Sequence, residues 1–173
     1  MEITAAIEHW IDTTNTQYAE KRKSCTRWSQ LNEYYPESTL NRAGFVVIDQ
    51  LPFPGSTLIA NCGLNAVSPL SLQKVGAITY GETYYVRPQY CDDIEIHFHE
   101  LVHIAQYQYL GICGFLKLYL HQIINYGYHN APLEIMAYAL QKRFREEQDP
   151  FDVPTKVAQQ LYNLTGLRNS QTL

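Results

Sequence analysis

The stretch IEIHFHELVHIAQYQYL (94–110) holds three of the chain's six histidines. Two of them, His99 and His103, stand four apart, with Glu100 directly after the first. At about 100° per residue on a helix, positions four apart stack one turn above each other, so two imidazole nitrogens can reach one ion. Glu100 then projects beside that ion rather than onto it. A carboxylate placed there can take a proton from a metal-bound water, whose pKa the metal lowers from about 16 toward 7. One turn of helix thus supplies two ligands and a general base. Chance would produce the pattern in roughly one of a hundred chains of this composition, so the helical setting adds weight. Ile94, Phe98, Leu101, Val102, Ala105 and Tyr109 share one arc and read as the core stripe, with the two histidines, Glu100 and Tyr107 on another. His97 lies about 140° around the helix from the midpoint of the pair and is expected to be hydrogen-bonded or partly exposed instead.

A catalytic zinc site takes three protein ligands and keeps one position for water. The pattern that supplies a third histidine just downstream requires glycine and histidine at positions 106 and 109, where this chain has Gln106 and Tyr109. The third ligand must come from elsewhere: His121, His129 or Glu134. Glu134 falls in the first turn of a helix whose core arc is Leu133, Met136, Ala137, Leu140 and Phe144, with Tyr138 on the Glu134 face. Ala137 is small enough for a second helix to come close. An acid in a first turn also suits the helix dipole with no ion involved. Two histidines from one helix and a carboxylate from another is a known catalytic arrangement, which favours Glu134, with His121 and His129 as alternatives.

HELVH followed by EIMAY resembles the gluzincin type of zinc metallopeptidase, in which a glutamate on a later helix completes the site. The longer pattern ITYGETYYVRP…HFHELVHIAQY…GYHNAPLEIMAY resembles small bacterial metallopeptidases of unknown substrate, over roughly residues 44–147. The resemblance implies one Zn2+ per chain held by His99, His103 and Glu134, with Glu100 as base and a peptide or protein as substrate. It departs from the thermolysin-like pattern at Tyr138, where that pattern has an acidic residue. Tyr138, Tyr107 and Tyr128 are the candidates to orient a ligand or to stabilise the oxyanion.

The elements that must position these groups can be read around them. GFVVID (44–49) is a short strand ended by the proline-rich QLPFPGS. AITY (77–80) and TYYVR (83–87) flank Gly81-Glu82 as a hairpin. Arg87-Pro88 closes the second strand, which is read as a sheet edge able to accept an extended peptide. Helical patterns cover 93–110, 114–126, 131–147 and 154–164, with Asp92 and Asp93 as helix-start residues. GFLKLYLHQIINY (114–126) is apolar on more than one side, which suits a buried helix before a membrane-surface one. The expected class is α+β, a small antiparallel or mixed sheet packed on a helical half that carries the histidine helix and the third-ligand helix. A single domain is expected over 1–173, with a helical segment at 1–43, a strand-rich part at 44–90 and a helical part at 91–173.

Of the 173 residues, 46% are apolar and 17% charged, the composition of a chain with a packed core. A net charge of −4, with no basic cluster beyond KRK at 21–23, speaks against nucleic acid as a partner. No apolar run is long enough for a membrane span. The four cysteines show no C-x-x-C pair and read as buried free thiols. With no basic cap and apolar core at the start, the default location is cytoplasmic. The oligomeric state is not legible. The expected function is therefore a zinc-dependent hydrolase, a metallopeptidase. The alternative is a zinc-holding binding or regulatory module with little or no turnover.

Overall fold

A computed structural model of the chain describes residues 3–61, 75–146 and 149–166. The helices are α1 (Ile3–Gln17), α2 (Glu37–Arg42), α3 (Ser56–Asn61), α4 (Ile94–Tyr126), α5 (Pro132–Glu146) and α6 (Val153–Thr165). The strands are β1 (Lys23–Ser24), β2 (Gly44–Val47), β3 (Ala77–Tyr80) and β4 (Thr83–Val86). The fold is α+β, with a small mixed sheet packed against a helical core. The 1–43 segment is helical at its two ends only. Between α1 and α2 it winds through 3-10 turns and contributes β1 to the sheet.

The strand order is β1-β2-β4-β3, with β2 parallel to β4 and the other two pairs antiparallel. The β3–β4 hairpin turns at Gly81-Glu82, where Gly81 has φ 68°. The edge expected at 83–87 is a correction: β4 lies inside the sheet and is buried along its whole length, while among the described residues β3 and β1 form the edges. TYYV presents aromatic or aliphatic bulk to both faces of the sheet, and helices cover both, α4 on one side and α1 on the other. Side chains alternate accordingly. Phe45, Tyr84 and Val86 face the core shared with α4, whereas Val46 and Tyr85 face Ile7 and Ile11 of α1. Asn15 ties α1 down, accepting from the Tyr85 hydroxyl (2.8 Å) and donating to the Tyr80 carbonyl (3.0 Å).

Helix α4 starts at Asp93, whose side chain accepts from the Glu95 amide. It is interrupted at Gly111 (φ 69°, ψ 166°), a conformation that glycine adopts without steric cost. The break separates the two helical patterns read at 93–110 and 114–126. Every residue from His97 to Tyr107 is buried, so the polar arc of the first half is covered as thoroughly as the apolar one. Its cover is α5, which crosses at the fully buried Ala137, flanked by Leu133 and Leu140. Gln122, from the second half of α4, accepts from the Leu133 amide and satisfies a donor in the first turn of α5. No helix among the described residues is long and apolar enough to cross a membrane. Cys25 is buried, Cys91 half-buried and Cys113 exposed, so the expected burial holds for only one of these three; Cys62 lies outside the described residues.

His97 is hydrogen-bonded, as expected, but wholly buried. Its Nε2–H donates to the Cys91 carbonyl (2.9 Å), which leaves Nδ1 to accept from the Tyr84 hydroxyl (2.6 Å). The ring lies 4.5 Å from Trp28 and 4.9 Å from Phe45, and burial holds it below the usual histidine range and therefore neutral. This imidazole joins the start of α4 to the centre of the sheet. Tyr84→Phe strands the buried Nδ1 and is expected to cost about 1–3 kcal/mol in urea unfolding, with metal stoichiometry unchanged. An unchanged unfolding midpoint would show that the contact contributes nothing.

Candidate metal centre

The first half of α4 carries His99 and His103, and α5 brings Glu134 against them from its first turn. One ligand atom from each of the three lies within 4.8 Å of the other two. His99 Nε2 and His103 Nε2 are 3.1 Å apart. Glu134 Oε2 is 3.6 Å from the first and Oε1 is 3.5 Å from the second. The burial is nearly complete, with Glu134 at 1%, His99 at 5% and His103 at 6% exposure.

The outer ring nitrogens decide which way the lone pairs point. His103 Nδ1 meets Gln106 Oε1 at 2.9 Å, and the Gln106 amide is oriented by donating to the Leu133 carbonyl at 3.0 Å. His99 Nδ1 meets Gln141 Oε1 at 3.0 Å, and the Gln141 amide donates to Glu95, itself paired with Arg145. Each Nδ1 therefore carries a proton, which reserves each Nε2 for the common centre. A second observation agrees: Glu134 Oε2 is buried with no hydrogen-bond partner. A buried carboxylate oxygen left in that condition is costly unless a cation takes it. The donor set and the orphaned oxygen both fit one divalent cation held by His99, His103 and Glu134.

The electrostatics point the same way. Burial alone would raise the Glu134 pKa, but His103 and His99 pull it well below the usual carboxylate range. Burial would lower His103, yet Glu134 and then Glu100 hold it above the usual histidine range. A proton and a cation compete for the same three atoms.

Glu100 is 5% exposed and does not join the ligand cluster. Its Oε2 accepts a 2.6 Å hydrogen bond from Thr79 on β3. Tyr138 lies over His99 with ring centroids 4.5 Å apart, and the Tyr128 hydroxyl lies close to that of Tyr138. Burial first, and Glu134 next, keep both hydroxyls protonated. Tyr107 goes elsewhere. Its ring stacks on Phe115 at 3.7 Å, and Phe115 in turn stacks on Tyr119. His121 and His129 are both exposed and outside the cluster.

Four neighbours of the site did not emerge from the sequence: Gln106, Gln141, Tyr119 and Thr79. Gln106 was within reach, because it follows His103 by three positions and so shares its face. Gln141 lies two helical turns beyond Glu134 and takes the orienting role that an acid at 138 would have had. Tyr119 donates to Glu134 Oε1 at 2.8 Å, a contact that exists only because α4 breaks at Gly111.

Elemental analysis should find about one zinc per chain, and Glu134→Ala should lose it. Retention of zinc by that variant would remove Glu134 from the ligand set. Because uptake displaces the proton that Glu134 holds on His103, apparent zinc affinity should rise as pH increases from 6 to 8, with proton release on binding. Competition with a chromophoric chelator at several pH values measures this, and a flat profile would contradict it.

Comparison with models of known protein families, with curated proteins and with solved structures finds no match in any of the three.

Proposed function

We propose that the chain is a zinc-dependent hydrolase that cleaves peptide bonds, with Glu100 as its general base. The observation that carries this is the buried cluster of two imidazoles and one carboxylate oxygen without a hydrogen-bond partner, with a second buried acid, Glu100, next to His99 on the same helix turn. Two nitrogens and one carboxylate suit zinc. The gluzincin-type order of the residues supports a peptidase among zinc hydrolases.

When bound, the ion would bring a water toward a pKa of about 7 and polarise the scissile carbonyl. The chain's own residues do the rest. Thr79 holds one oxygen of Glu100, and the other is left to take a proton from the nucleophile and return it to the leaving amine. Gln106 and Gln141 fix the two imidazoles in their ligand tautomer. Tyr128 and Tyr138 supply neutral hydroxyl donors beside the cluster for the developing oxyanion. β3, the edge strand that carries Thr79, is where an extended peptide would add to the sheet.

The depth of the cluster favours a second reading, a chain that holds zinc without turnover, since no ligand exceeds 6% exposure. A fluorogenic peptide library with zinc-loaded protein separates the two. Hydrolysis that falls about 100-fold or more in Glu100→Gln, with zinc retained, is the expected result. Full activity in that variant would end the role of Glu100, and no hydrolysis of any peptide by the unaltered protein would leave the zinc-holding reading.

A further inference from the structure

The two oxygens of Glu134 stand almost symmetrically before the histidine pair, at 3.5 and 3.6 Å. Ligand placement alone therefore does not choose between binding through one oxygen and binding through both. The choice matters. Two imidazoles and a two-oxygen carboxylate fill four positions, whereas a one-oxygen carboxylate keeps a position for water or substrate.

The asymmetry comes from Tyr119. Its hydroxyl donates to Oε1 at 2.8 Å, while Oε2 is buried without a partner. The ring is held in a pile with Phe115 and Tyr107, at centroid separations of 5.3 and 3.7 Å and interplanar angles of 18° and 20°. Tyr119 thus reaches Glu134 from the second half of α4, a segment that carries no ligand, and it is held there by a ring pile whose middle member, Phe115, also meets His103 edge-on at 6.5 Å. We infer that Tyr119 is a positioning residue: by occupying Oε1 it makes Oε2 the single ligand oxygen of Glu134 and keeps the fourth coordination position open. This rests on the metal reading of the cluster.

The alternative is that the hydroxyl merely satisfies a buried carboxylate, and a coordination number separates the two. The protein is loaded with Co2+, and its visible spectrum is compared with that of Tyr119→Phe, which keeps the ring and removes only the donor. The unaltered protein should give the intense bands of four-coordinate cobalt. In Tyr119→Phe, Oε1 is free to bind, and the bands should weaken several-fold to a five-coordinate spectrum. X-ray absorption on the zinc-loaded unaltered protein needs no variant and should find four nitrogen or oxygen neighbours at about 2.0–2.2 Å. A spectrum that stays the same in Tyr119→Phe, or five neighbours in the unaltered protein, overturns the inference. Failure of the unaltered protein to take up cobalt or zinc would overturn it together with the metal reading. Four-coordinate cobalt in a protein that hydrolyses no peptide would leave it standing and strike only the peptidase proposal.

Discussion

A carboxylate at 1% exposure is a thermodynamic liability, and much of this fold is arranged around that one group. Removing an ionised acid from water costs several kcal/mol even after relaxation, and the cost is offset only by opposite charge and hydrogen bonds placed around it. Glu134 has three such neighbours, His99, His103 and Tyr119, drawn from both halves of α4. For them to converge, α5 must cross α4 closely, which the fully buried Ala137 allows, and α4 must change direction, which Gly111 allows. The outer nitrogens of the imidazoles then need partners as well. Gln106 and Gln141 meet that need with neutral amides, and the charge of Glu95 behind Gln141 is paired with Arg145.

His97 shows how the same helix serves two different environments. It is two residues from His99, yet its ring is turned toward the sheet and is neutral, wedged between Trp28, Phe45 and Tyr84. His99 and His103 face α5 and a negative charge. Three histidines within one short stretch thus divide into a packing contact and a ligand pair. The division follows from helical phase alone, since residues two apart point to different sides.

The ligand set was legible because its chemistry is written in short-range spacing: His99 and His103 one turn apart, with Glu134 in the first turn of the next amphipathic segment. The β3–β4 hairpin was legible for the same reason, through Gly81-Glu82. What escaped depends on tertiary placement. TYYVR read as an edge because Arg87-Pro88 ends it, but strand order is set by which segments cover both faces of Tyr84 and Tyr85, and β2 arrives from far away in sequence. Tyr107 seemed to share the face of the histidines, yet the bend at Gly111 folds Phe115 onto it. Tyr119 carried no local signal at all.

Apart from Thr79, every group that touches the cluster or supports it lies between Glu95 and Arg145, within the α4–α5 pair. The contacts from His99 to Glu134 bridge about as much chain as the pairing of β2 with β4, so neither half of the fold is the more local one. What differs is where each part of the site is carried. The three ligand atoms are held by two helices packed on each other, whereas the acid beside them is held by a strand. A displacement of the sheet against α4 would loosen Glu100 and leave the three atoms in place, so the grip on a cation and the readiness to react can be lost separately.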